Sequence, residues 1–99
     1  MKIIWTARSE RDLFEIGRFI GKENRAAARQ WTAKLKKKAH EAARNPRVGR
    51  QVPECERTDI REVFLKSYRI VYRIHVRHIE ILTVFEGHRL FPVESPESI

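Results

Sequence analysis

The chain has 99 residues, a formal net charge of +8, 41% hydrophobic and 34% charged residues, and one cysteine. That length suits one domain with a core of its own, and the balance excludes an intrinsically disordered chain. There is no run of about 18 apolar residues to span a membrane, the start MKIIWTARSERDL lacks a signal peptide's apolar stretch, and Cys55 alone cannot form an internal disulfide, so a cytosolic protein is expected.

KIIW (2–5) suits a first strand. Ser9 then stands as an N-cap, with Glu10 and Asp12 placed to favour the dipole of a helix over 9–22. Leu13, Ile16, Gly17 and Ile20 recur at helical spacing, while Phe14 and Phe19 widen the apolar surface beyond one stripe. Such width fits contact on two sides, either core plus core or core plus partner. Asn24 caps a second helix on which Ala28, Trp31, Leu35, Ala39 and Ala42 share a face, and Asn45-Pro46 ends it because a residue before proline is pushed out of the α region.

Residues 47–58, with Gly49 and Pro53, read as a loop. The runs 59–65, 67–74 and 78–86 are rich in β-branched and aromatic residues and lie too close together for anything but tight turns, so they form an antiparallel meander. The tail holds Pro92 and Pro96 and is expected to be loosely ordered from about residue 92. The order is β-α-α-β-β-β, an α+β domain spanning 1–99.

Charge is concentrated. Residues 25–50 carry Arg25, Arg29, Lys34, Lys36, Lys37, Lys38, Arg44, Arg47 and Arg50 against Glu41, nine minus one or +8, so the remaining twelve bases and twelve acids cancel. A block of this kind favours an anionic partner or is a solvated helix face. In SYRIVYRI the two-residue period puts Tyr68, Ile70, Tyr72 and Ile74 on the face that packs on the helices, and Arg69, Val71, Arg73 and His75 on the other, over which no layer is predicted. Arg61, one strand earlier, is a candidate to join the arginines, in a register that the sequence does not state.

With its early Trp5-Thr6 and Asp12-Leu13, a long second helix ending at Asn45-Pro46, GRQVPE (49–54), IREVFLKSYRIVYRI (60–74) and IEILTVFEGHRL (79–90), the chain resembles the RelE/ParE superfamily of toxins from bacterial type II toxin–antitoxin systems. The resemblance runs from residue 2 to about 91 and implies a helical hairpin packed on a four-stranded, largely antiparallel sheet. It also implies a cognate antitoxin partner with a helical segment that wraps the toxin; an acidic one would offset the +8, with Phe14, Phe19 and Ile20 as its contact. SYRIVYRI and VFEGHR are more similar to the ParE branch, whose members poison DNA gyrase without chemistry of their own, and the target contact would then use Arg61, Arg69, Arg73, His88, Arg89, Lys36 and Lys37.

The alternative is a RelE-like ribosome-dependent mRNA interferase. Cleaving a phosphodiester without metal needs a base, an acid and cations. Arg61, Arg69, Arg73 and His88 with Glu54 are the candidates, and Glu62 and His75 are further ones. The late tyrosine usual in RelE-like enzymes is missing, so binding is the favoured mode over catalysis. No cofactor or metal is implied. The bland readings are a surface His88, core tryptophans and tyrosines, and a solvated KKK run.

Overall fold

The computed structural model describes residues 1–87. Eight elements follow in order: β1 (Lys2–Trp5), α1 (Ala7–Gly21), α2 (Arg25–Arg44), a 3-10 turn (Pro46–Val48), β2 (Arg50–Gln51), β3 (Ile60–Leu65), β4 (Tyr68–Ile74) and β5 (His78–Glu86). The strands form one sheet in the order β1-β5-β4-β3-β2, with β1 parallel to β5 and every other pair antiparallel. The β-α-α-β-β-β order and the meander are as the sequence predicts. Two features go beyond it: β1 joins the edge of the meander in parallel, and two residues of the expected loop, Arg50 and Gln51, pair with β3 as a fifth strand.

α1 starts earlier than residue 9, and its cap is Thr6 rather than Ser9. Thr6 Oγ1 accepts from Ser9 N at 3.1 Å and donates to the Ile81 carbonyl at 2.8 Å, so the same hydroxyl caps the helix and ties it to β5. Ser9 is fully buried one turn in, and its Oγ donates back to the Thr6 carbonyl. Asp12, expected to serve the helix dipole, instead reaches across to β5. At β5 the ladder with β4 skips Leu82, since Val71 faces Thr83 while Tyr72 faces Ile81. Beside this bulge the Asp12 carboxylate accepts from Thr83 Oγ1 and from Val84 N, the latter at 3.0 Å. A bulge leaves ladder groups unpaired, and Asp12 supplies a partner there.

The helices approach each other through small residues. A Cβ on Gly17 would sit 3.2 Å from Thr32 Cγ2, tighter than an ordinary packing contact. Asn24 caps α2 as expected, its Oδ1 accepting from Ala27 N at 3.0 Å. Leu35, Ala39, Ala42 and Ala43 then bury against Val63, Ile70, Tyr72, Ile79, Ile81 and Val84 to make the main core between hairpin and sheet.

The far side of the sheet departs from expectation. It is not uncovered: the segment between β2 and β3 folds over it, and Val52 and Cys55 pack with Ile60, Val71, Leu82 and Phe85 in a second small core. The alternating sequence pattern hides this because Val71 is the only apolar residue of β4 on that face. The rest of this core comes from other strands and from the loop. Among the described residues no helix is long and apolar enough to cross a membrane.

Candidate functional site

The expected arginine face does not converge into one site. Register places Arg61 opposite Tyr72, on the helix side of the sheet, and Arg69 and Arg73 on the other side. Arg61 is therefore a correction: its Nε donates to the Thr58 carbonyl at 2.8 Å and its Nη1 to the Gly49 carbonyl at 3.2 Å, bracing the loop that precedes β3. A period of two makes the face of Arg61 depend wholly on pairing register, and the sequence does not print register.

Arg69 is 5% exposed and held by two carboxylates. Its Nε donates to Glu62 Oε1 at 2.6 Å, and Nη1 and Nη2 donate to the two Glu54 oxygens at 3.0 and 2.8 Å. Glu62, itself 1% exposed, takes a second cation on its other oxygen, from Arg50 Nε at 2.6 Å. The result is a chain Arg50–Glu62–Arg69–Glu54 of two cations and two anions, which clips the covering loop and the edge strand onto the sheet. Glu54 and Glu62, proposed as general bases, are thus the partners of the arginine they were to assist. The Arg69 hydrogen bond holds the Glu54 carboxyl below its ordinary range, the direction opposite to that required of a base near neutrality.

Arg73 is half-buried, faces Ile60 and Glu80 across the ladders, and its Nε is buried without a hydrogen-bond partner among the described residues. Beyond it His75 stacks on His78 with ring centroids 4.3 Å apart, and His75 Nε2 lies 3.0 Å from Glu80 Oε1. The buried Val71 and the covering loop separate this end from the Arg69 clamp. His88 and Arg89 lie outside the described residues, as does the tail from about residue 92. Among the described residues no group of three or more His, Cys, Asp or Glu is arranged to hold a metal ion.

Two other surfaces stand out. On α1, Phe14 is 65% and Phe19 73% exposed, while Ile20 is half-buried. The two exposed aromatics stand five residues apart, on different flanks of the helix. Each sits at a groove: one of about 350 Å³ runs between Phe19, Ile16, Asp12, Tyr68 and Phe85, and one of about 510 Å³ between Phe14, Trp5, Leu13, Thr32 and Lys36. α1 therefore presents depressions on both flanks, each lined by apolar and charged side chains together, with Arg8, Glu15 and Glu86 in the first and Glu10 and Lys36 in the second. On α2, Lys36 and Lys37 are exposed. The sequence showed both surfaces, through the excess of phenylalanines over one helical stripe and through the charge block.

The fold is similar to that of a chain from the chromosomal ParDE TA system of P. aeruginosa. The two superpose with a TM-score of 0.72 at 18% identity, over 87% of this chain and 95% of that one. The model of the family described as ParE toxin of type II toxin–antitoxin system, parDE, matches residues 3–91. Y4kP, a candidate toxin of Sinorhizobium fredii (strain NBRC 101917 / NGR234), is 37% identical over 93 residues, covering 92% of this chain and 93% of its own length. The chain belongs to the ParE family of type II toxins. Membership implies a cognate antitoxin partner.

Proposed function

We propose that this toxin acts as a binding protein that poisons DNA gyrase, and that its antitoxin neutralises it by seating a helical, acidic segment over the α1 grooves. The observation that carries the first part is the commitment of Arg69. The central cation of any phosphodiester-cleaving site on the sheet is enclosed by Glu54 and Glu62 and covered by the second core, while Arg61 lies on the opposite face. Transition-state stabilisation requires donors preorganised toward the developing charge, and these donors are aimed at the protein's own carboxylates. The remaining cations of α2, with Arg73, His88 and Arg89, supply a surface for a large target.

The antitoxin assignment rests on the exposed Phe14 and Phe19 beside grooves wide enough to receive side chains from an amphipathic helix. The test of the toxic activity is a pair of assays on the same protein: gyrase supercoiling with trapping of the cleaved DNA complex, and mRNA cleavage in a translating extract. Trapped gyrase with intact mRNA is the expected result. Ribosome-dependent cuts in mRNA, abolished by His88→Ala, would replace this reading with the mRNA interferase.

A further inference from the structure

We propose that the outer face of α2 is a track for the phosphate backbone of duplex DNA, bound without regard to base sequence. α2 is an uninterrupted helix of 20 residues packed on the sheet by Leu35, Ala39, Ala42 and Ala43. Arg25, Arg29, Lys36, His40 and Arg44 follow one another at spacings of four, seven, four and four residues, and Lys37 stands beside them. At 100° per residue these positions fall within one exposed sector of the helix. Arg25 to Arg44 spans about 28 Å of helix axis, the length of about eight base pairs of one DNA strand.

The stripe is held in no other engagement. Among the described residues, none of Arg25, Arg29, Lys36, Lys37 and Arg44 makes an ion pair; the acid of this helix, Glu41, stands four residues after Lys37 and three before Arg44 at the edge of the stripe, and pairs with Lys38 at 4.0 Å. A second carboxylate near its margin is Glu10 of α1, which lines the groove beside Lys36 without reaching it as an ion pair. Five side chains carry positive charge along the stripe and the acids Glu41 and Glu10 stand only at its edges, so the complementary surface is a row of anions.

Chemistry separates DNA from an acidic protein as that surface. Protein interfaces are anchored by buried aromatic and large apolar side chains and are poor in lysine. The residues between the cations on this face are Ala26 and Ala33, both exposed, with no aromatic among them. Contacts to phosphate, by contrast, are made by arginine and lysine and need no apolar anchor. The molecule thus divides its surfaces: α1 carries apolar anchors suited to a protein, and the outer stripe of α2 is predominantly cationic. This inference uses the α2 cations that the gyrase reading also assigns to its target, but it does not rest on that reading, because the ligand is DNA itself and the test contains no gyrase.

The test is fluorescence anisotropy of a labelled 20-base-pair duplex of arbitrary sequence with the purified chain and no gyrase present. Five phosphate contacts predict a slope of log K against log salt of about −4.5, hence a loss of about 500-fold between 50 and 200 mM salt. Arg29→Glu with Lys37→Glu and Arg44→Glu should cut the slope to about −2 and weaken binding at 50 mM salt at least tenfold. Val76→Ser, in the turn between β4 and β5, should leave duplex binding as it is. The proposal falls if the duplex fails to bind at 50 mM salt, or if the triple variant with an intact circular dichroism spectrum binds it as well as the parent. It also falls if a polyglutamate peptide of equal charge binds as tightly as the duplex, which would make this face a seat for an acidic protein.

Discussion

Arg69 Nε stands 2.6 Å from Glu62 Oε1 with both side chains buried, and the guanidinium's other end is taken by both oxygens of Glu54. Removing one member of such a pair leaves a charge in the interior without its counter-ion, which costs about 3–5 kcal/mol. Arg69→Ala is therefore expected to lower the free energy of unfolding by an amount of that order, read as a lower urea midpoint with the denaturant slope unchanged. Replacing both Arg69 and Glu62 by methionine and leucine should recover most of the loss, because apolar pairs of similar volume substitute well for buried ion pairs. A recovery of less than half would mean that the clamp organises the covering loop beyond its electrostatics. Any loss of toxicity in Arg69 variants must be read against this stability measurement before it is assigned to a target contact.

The same clamp makes stability depend on acid. Glu54 is held below its ordinary value of 4.5 chiefly by the hydrogen bond from Arg69, and Asp59 below its ordinary value of 3.8 chiefly by the hydrogen bond from Arg57. Both folded-state values are depressed, so the unfolded chain binds more protons in this range. Their contribution is fully present above about pH 4.5 and is lost as pH falls through the lowered folded values. Urea midpoints measured between pH 7 and pH 3 should be level at first and then decline. Glu54→Gln should make the decline shallower while lowering the plateau slightly, and an equally steep decline in that variant would show that other groups govern it.

How far these features can be read in the sequence varies with the distance over which they are decided. The helical hairpin, the Asn24 cap and the three long strands follow from local periodicity and capping chemistry, and their positions agree with the structure within a residue or two. The cap of α1 is local as well, yet two hydroxyls compete for it. Thr6 prevails because its Oγ1 also reaches the Ile81 carbonyl, a partner 75 residues away. The fate of the arginines is less legible still. Arg61 and Arg69 differ in face by register alone, and Glu54 becomes a partner of Arg69 only when a loop of polar appearance folds back over the sheet. Val52 and Cys55 drive that fold by burying with Val71, Leu82 and Phe85, and Phe85 lies on that face because a bulge interrupts β5. No pairwise spacing in the sequence encodes a bulge.

Two backbone positions should respond in opposite senses. Gly49 leaves no room for a side chain: a Cβ there would overlap Tyr72 Oη and lie 2.9 Å from the Glu62 carbonyl oxygen. Neither neighbour yields easily, since Tyr72 is fully buried and its hydroxyl donates to the Pro46 carbonyl. Gly49→Ala should destabilise by about 1–3 kcal/mol, as expected for overpacking.

Lys66 poses the reverse case. In the two-residue turn between β3 and β4 it holds φ at 53°, a region that an L side chain enters at a cost of about 1 kcal/mol or more. Lys66→Gly should relieve that cost and raise the melting temperature, partly offset by the greater freedom of glycine in the unfolded chain. A fall in melting temperature would mean that the exposed lysine makes a contribution to the turn that its backbone angle does not reveal.

The exposed phenylalanines of α1 separate binding from folding. At 65% and 73% exposure, Phe14 and Phe19 contribute little to the core, so Phe14→Ser and Phe19→Ser should each change stability by no more than about 0.5 kcal/mol. Seated in an antitoxin interface, each would be an aromatic anchor, and truncating such an anchor costs about 2 kcal/mol or more, a loss of about 30-fold in affinity. Titration calorimetry with the cognate antitoxin should therefore show weakened binding in both variants at an unaltered melting temperature for the free toxin. The grooves beside the two residues lie on opposite flanks of α1, and an antitoxin segment that crosses the helix would engage both. In that case the double variant should lose roughly the sum of the two single effects, because side chains on separate flanks share few neighbours. If only Phe19 responds, the antitoxin occupies the groove bounded by Tyr68 and Phe85 and leaves Phe14 for another partner. If neither responds, α1 is not the antitoxin's seat.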